Sequence, residues 1–235
     1  MDKKVALVTG SAKGIGKELI IKLASIGYDV IITYLTSENE AKKLQKYIVD
    51  NYKVNSLTIK CDITSEEDIL NMKNIILEKY NHIDILVNNA AYAYDNYIDE
   101  KTKEEFMKVL EVNVVGTFLV TKYLYKYMNN GIIVNISSTD ADDTYSEISI
   151  DYSSSKAAIN NLTKTFALSF KNIKVIGVMP NWTNTESIRE MNQDYLKKEL
   201  IRIGQEKLED PKEVANNIVK LIEDRNIKSG EIRRV

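Results

Sequence analysis

Short β-rich runs alternate with segments of helical period along this 235-residue chain, and that alternation limits the fold more than any other feature. Residues 5–8, 30–32, 56–59, 83–87, 132–136 and 174–178 read as strands, and residues 230–235 as a last edge strand. Between them, residues 14–26 place Ile15, Leu19, Ile20 and Leu23 at helical spacing before Gly27, a natural stop. Ser37 is expected to cap a helix to about residue 50, and Thr64 or Ser65 to start the next. A long helix is expected over 102–128, with Gly116 inside it, and another over 152–169. Pro211 then opens a helix to about residue 223 at a tolerated first-turn position. Strands apolar on both faces suit a parallel sheet covered by helices. No linker divides the chain, so the expectation is one doubly wound α/β domain of about seven strands in the order 3-2-1-4-5-6-7.

Composition narrows the function. Hydrophobic residues make up 44%, enough to line such a sheet, and the formal net charge is only -2. That balance gives no reason to expect nucleic acid or an anionic membrane as partner. No apolar run approaches the roughly 20 residues of a membrane helix, and the first residues lack the features of a signal peptide. One cysteine, Cys61, and one histidine, His82, leave no internal disulfide and no Cys or His metal cluster. No metal is expected, and the expected location is the cytoplasm.

Three of the nine glycines fall within Thr9-Gly10-Ser11-Ala12-Lys13-Gly14-Ile15-Gly16, at the first β-to-α junction. Gly10 permits a tight turn, Gly14 a close backbone approach to a pyrophosphate, and Gly16 close packing of helix on strand. The following helix offers free N–H groups and a positive dipole end. The competing reading is an ordinary glycine-rich turn. An acid normally closes the second strand where a ribose hydroxyl is held. Here that stretch is Thr33-Tyr34-Leu35-Thr36-Ser37, without an acid before Glu38. Lys13 is placed to meet a 2′-phosphate, with Thr36 or Ser37 assisting, which points to NADP(H) over NAD(H). The alternative has Lys13 solvated and Glu38 on the ribose.

The spacing Gly-x-x-x-Gly-x-Gly resembles the short-chain dehydrogenase/reductase family, and the resemblance runs through nearly the whole chain. Within that family it is most like the 3-oxoacyl-acyl-carrier-protein reductases. It implies a Rossmann-type domain and hydride transfer between a nicotinamide and a carbonyl or secondary alcohol. Asp62 and Ile63 would edge the adenine, although Asp62 is equally suited to cap the next helix. Asn88-Asn89-Ala90-Ala91 looks like the family's Asn-Asn-Ala-Gly, with Asn89 and Ala90 beside the cofactor. The turn would contribute Gly10, Ser11, Lys13, Gly14, Ile15 and Gly16. Pro180-Asn181-Trp182-Thr183-Asn184-Thr185 resembles Pro-Gly-x-x-x-Thr, so Pro180, Thr183 and Thr185 would lie at the nicotinamide. Asn181 replaces the glycine and is expected to keep the turn through left-handed backbone angles. Residues 182–205 would form a substrate lid, with Trp182 either a substrate wall or lid packing.

Tyr152-Ser153-Ser154-Ser155-Lys156 places a phenol and an ammonium on one helical face. With fourteen tyrosines, a lone Tyr-x-x-x-Lys is weak, but this pair opens the helix after the fifth strand. The ammonium is expected to lower the phenol's pKa and make it a general acid or base, and both residues would touch the cofactor. Ser138 is assigned the second catalytic hydroxyl, with Thr139 competing for it, and Asn113 matches the family's fourth catalytic position. Asn113 would hold a water near Lys156; its bland reading is a satisfied core amide. Asp140, Asp142, Asp143 and Glu147 crowd the loop between Ser138 and Tyr152 and would repel an acidic carrier protein. The substrate is therefore either an acyl-thioester carbonyl or a neutral ketone, sugar or steroid-like alcohol. A silent dinucleotide-binding sensor or scaffold is the rival class. A homodimer or homotetramer is expected, the latter in question because the chain stops at Arg233-Arg234-Val235.

Overall fold

In a computed structural model, which describes residues 3–235, seven parallel strands form one sheet in the order β3-β2-β1-β4-β5-β6-β7. They are β1 (Val5–Val8), β2 (Asp29–Tyr34), β3 (Ser56–Lys60), β4 (Ile85–Asn88), β5 (Ile132–Ile136), β6 (Lys174–Met179) and β7 (Ile232–Arg234). The helices are α1 (Gly14–Ser25), α2 (Glu38–Tyr52), α3 (Glu66–Lys79), α4 (Lys103–Leu110), α5 (Thr117–Leu124), α6 (Ile150–Ser169), α7 (Glu186–Glu190), α8 (Gln193–Ile203) and α9 (Pro211–Glu223). The expected strand order is the observed one.

Alternation along β1 divides the core in two. Ala6 and Val8 face a layer with Leu19, Ile20 and Leu23 of α1 and Ile218 and Val219 of α9. Val5 and Leu7 face the opposite layer, with Met72 and Ile76 of α3 and Val120 and Leu124 of α5. Full burial of each such side chain is worth about 1.5–3 kcal/mol against exposure, so both faces must stay covered. The strands' carboxyl ends therefore converge on one edge, and a cleft opens there. No helix among the described residues is long and apolar enough to cross a membrane.

Two expectations change. The long helix is not uniform: α4 passes into a six-residue π-helical stretch, Glu111–Gly116, before α5, and a 3₁₀ turn, Tyr125–Tyr127, ends it. Such stretches recur at functional sites, and this one carries Asn113. Within it Gly116 has a packing reason, because a Cβ there would meet Ile63 Cδ1 at 2.7 Å. Ser37 occupies the N-cap position of α2, but its side chain makes no capping bond, with φ -93° and ψ 54°.

Candidate active site

A cavity of about 660 Å³ runs along the carboxyl edge of the sheet, from Tyr34 and Ser37 past the glycine turn to Tyr152 and Trp182. At the turn, Gly10 and Gly14 have φ of 61° and 56°, where only glycine sits without strain. A Cβ on Gly10 would lie 2.9 Å from Ala90 Cα. Lys13 precedes α1 in extended conformation with no side-chain cap, so the first amides of the helix keep their unused hydrogen-bonding capacity. That is a cradle for an anion such as a pyrophosphate, and the residues present fit a dinucleotide.

Not every turn residue reaches the cavity. Gly10, Lys13, Gly14 and Ile15 line it, whereas Ser11 and Gly16 do not. Ser11 is buried, and its hydroxyl donates to Val8 O at 2.7 Å, so this side chain locks the turn from beneath instead of facing a ligand. Gly16 is the close-packing position: a Cβ would stand 2.6 Å from Asn89 Nδ2. That amide donates to Thr9 O at 2.9 Å and Gly10 O at 3.2 Å, so Asn89 both lines the cleft and braces the turn.

At the far end of β2, Thr36 and Ser37 line the cavity; Glu38 does not, and it pairs with Lys42. Lys13 is half-exposed, with Glu40 4.0 Å away. Asp62, Ile63 and Ala90 line the middle. Asp62 also accepts from Thr64 N at 2.9 Å and Thr64 Oγ1 at 2.7 Å, closing the turn after β3; the α3 cap is Ser65. Pro180, Thr183 and Thr185 line the opposite wall. Asn181 does not adopt the left-handed backbone expected of it; among the described non-glycine residues only Lys53 and Asn130 have positive φ. Its Oδ1 instead accepts from Trp182 N at 3.0 Å and Thr139 Oγ1 at 3.1 Å, so a side chain shapes the turn.

Tyr152 and Lys156 lie one turn apart on α6, both on the cavity wall. Lys156 is 3% exposed, and its Nζ donates to Ile136 O at 2.8 Å. That nitrogen lies 5.2 Å from the centre of the Tyr152 ring. The expected lowering of the phenol's pKa does not hold in the protein alone. Burial pushes the Tyr152 hydroxyl up, and the charges of Asp140 and Asp95 add to the rise; the nearby Ser138 hydroxyl opposes it. Burial also pulls the Lys156 ammonium down to about 8. Desolvation thus acts on both groups, each against its charged form, and the ammonium meets the ring face.

Ser138 follows β5 at the cavity, and its Oγ accepts from Asp140 N at 3.1 Å. The O–H stays free to donate to a carbonyl oxygen. Thr139 is buried and tied to Thr144 and Asn181, off the cavity wall. Asn113 is 1% exposed and does not line the cavity. Its amide accepts from Tyr92 N at 2.7 Å and donates to Tyr92 O at 3.0 Å and Ser155 Oγ at 2.9 Å. These partners fit the satisfied core amide: Asn113 clamps the segment after β4 onto α6. Its side chain has no free donor for a water near Lys156.

The acidic loop also differs from its sequence appearance. Asp142 and Asp143 are exposed and pair with Arg234 of β7 at 2.8 and 2.6 Å. Asp140 turns inward and is 6% exposed on the cavity wall. Asp95, Lys108 and Tyr92 also line the cleft without having stood out in the sequence.

The model of the short chain dehydrogenase family matches residues 4–196. The chain belongs to the short-chain dehydrogenase/reductase family. It is 36% identical to the 3-oxoacyl-(acyl-carrier-protein) reductase FabG of Aquifex aeolicus (strain VF5) over 221 residues, 92% of this chain and 88% of the relative. It is 31% identical to glucose 1-dehydrogenase 2 of Bacillus subtilis (strain 168), covering 90% and 84%. A solved short chain dehydrogenase from Burkholderia cenocepacia J2315, in complex with NADP, superposes with a TM-score of 0.90 at 26% identity, covering 99% of this chain and 96% of that one. Family membership makes this protein an NAD(P)-dependent oxidoreductase.

Proposed function

We propose that this protein is an NADP(H)-dependent carbonyl reductase in which Tyr152 is the proton donor, Lys156 and Ser138 touch the reacting groups, and residues 182–205 form the lid. The juxtaposition of Tyr152 and Lys156 on the wall of a cleft that begins at a glycine turn carries this reading. A bound nicotinamide supplies hydride to the carbonyl carbon, or accepts it in reverse. Ser138 donates a hydrogen bond to the carbonyl oxygen, and Tyr152, protonated at neutral pH, gives that oxygen its proton. The phenolate left behind is stabilised by the Lys156 ammonium, which Ile136 O holds beneath the ring. The lid is fastened at its base, where Gln205 Nε2 donates to Trp182 O at 2.8 Å, and near its C-terminal end, where Arg202 reaches Thr144 O and Tyr145 O.

NADP(H) is supported by Lys13 at the cleft, by the turning of Glu38 toward Lys42, and by the NADP of the Burkholderia structure. Two substrate readings have separate support. The Aquifex relative's name speaks for an acyl thioester, and pairing of Asp142 and Asp143 with Arg234 softens the negative mouth such a carrier would meet. The acids inside the cleft speak for a small hydroxylated ketone or sugar. A homo-oligomer, joined through exposed Met107, Phe118 and Leu168, and a cytoplasmic location belong to the same reading.

The test is oxidation of NADPH and NADH, each measured against a panel of acyl-carrier thioesters, simple ketones and hydroxyketones. Turnover with at least one carbonyl class, faster with NADPH, is expected. Absence of turnover with both cofactors across the panel defeats the catalytic reading, and faster turnover with NADH defeats the cofactor assignment.

A further inference from the structure

The substrate end of the cleft contains a carboxylate that proton transfer does not use. Asp140 follows Ser138 by two residues, and its N–H donates to the Ser138 hydroxyl. Its side chain is therefore anchored beside the group that receives the carbonyl oxygen. One carboxyl oxygen accepts from Thr144 Oγ1 at 2.8 Å; burial pushes the carboxyl's pKa above the usual carboxylate range, and the Thr144 hydroxyl and the Trp182 indole oppose that rise. The residue is 6% exposed and lies on the cavity wall. Among the described residues no cation lies within ion-pair distance of it. Arg202, whose charge reaches Asp140, is committed to Glu199 at 2.7 Å. A buried acid left without a cation is costly unless donors satisfy it. Toward the rim, Asp95 also lines the cavity and accepts from Ser149 Oγ at 2.6 Å.

We propose that Asp140 is a specificity-determining residue: it accepts a hydrogen bond from a hydroxyl or ammonium borne on the carbon next to the reacting carbonyl. Preferred substrates are then hydroxyketones or aminoketones, ahead of unsubstituted ketones of equal size. This deepens the reductase reading and rests on it for the position of the carbonyl. An acceptor-only group rejects an analogue without a donor because its own hydrogen bond is left unmade.

Hydroxyacetone, aminoacetone and butanone differ in one terminal group and form a matched set. The native enzyme is expected to show kcat/KM at least tenfold higher for hydroxyacetone or aminoacetone than for butanone; which of the two leads tells a hydroxyl from an ammonium. Asp140→Asn is expected to bring that ratio down to within about threefold of unity. Thr144→Val, which frees the carboxylate without removing it, is expected to lower the ratio severalfold, and it serves if the first variant is insoluble. Trp182, the chain's only tryptophan, gives a readout free of catalysis: its emission titrated with propane-1,2-diol and with butan-2-ol, the corresponding products. Tighter binding of the diol in the native protein, lost in Asp140→Asn, supports the assignment even if no ketone is turned over, an outcome that would count against the reductase reading alone. Equal affinity for the two alcohols, or a preference that survives Asp140→Asn, overturns the role of Asp140.

Discussion

At one end of the cleft the working groups are backbone amides, held by two left-handed glycines and the uncapped start of α1. At the other end they are side chains from separate segments: Ser138 after β5, Tyr152 and Lys156 on α6, Trp182 after β6. The first end is a surface of fixed dipoles whose geometry a single Cβ would spoil. The second contains titratable groups in a dry setting, where burial acts against every charge. A shared anionic handle needs only the former, whereas proton transfer to a particular carbonyl needs the latter. The two ends should therefore fail in different ways when altered.

The largest separation is expected from Tyr152→Phe. Removing the proposed proton donor should lower kcat/KM about a thousandfold, within the 10²–10⁴ range of positioned acid catalysis, while NADPH affinity measured by fluorescence stays within severalfold of native. Equal loss of binding and turnover would mean that the two ends do not act independently.

Lys156→Met probes the cost of the dry end. The ammonium's pKa lies at about 8 in the folded protein against 10.5 for the free group. The unfolded chain therefore holds the proton more tightly, and folding carries a penalty that is complete below pH 8. The penalty fades as pH rises from 8 toward 10.5. Its size is on the order of 3 kcal/mol, before loss of the bond to Ile136 O. The variant is expected to be inactive yet at least as stable as native at pH 7 in urea unfolding, with its advantage shrinking by pH 10. A variant less stable at pH 7 than at pH 10, relative to native, would contradict the burial argument.

The smallest effect belongs to the turn. Gly10→Ala puts a side chain into a φ of 61° and within 2.9 Å of Ala90 Cα. Strain of about 1–3 kcal/mol should appear as a lower urea midpoint and weaker NADPH binding. Turnover at saturating cofactor should change least. A drop in saturated turnover larger than the drop in affinity would place the turn in the chemistry after all.

The same contrast explains what could be read from the chain. The succession of strands and helices, the glycine turn and the Tyr152–Lys156 pair were legible because local spacing encodes them: short apolar runs between segments of helical period, glycines seven residues from first to last, a phenol and an ammonium four apart; the strand order followed from the doubly wound pattern those runs imply. The unforeseen features depend on distant partners. Asn113 meets Tyr92, 21 positions away, so its commitment to a clamp has no local sign. Ser11 faces inward because β1 ends beneath it. Asp140 and Asp142 are two residues apart and read alike, yet one is buried on the cavity wall and the other meets Arg234, 92 positions on. Asn181 shapes its turn with a side-chain oxygen where left-handed backbone was expected.

The wide turn at Glu111–Gly116 sets the phase of all that follows it. A π-helical stretch holds an extra residue compared with the α-helix it interrupts, and one residue is about 100° of rotation. Excising a single position there would let α4 and α5 join as one regular helix, at the expense of swinging Leu119, Val120 and Leu124 off the sheet or Asn113 away from Tyr92. The chain can seat its hydrophobic stripe and its polar clamp together only while that irregularity persists, so the segment behaves as a spacer of fixed length in an otherwise length-tolerant helix.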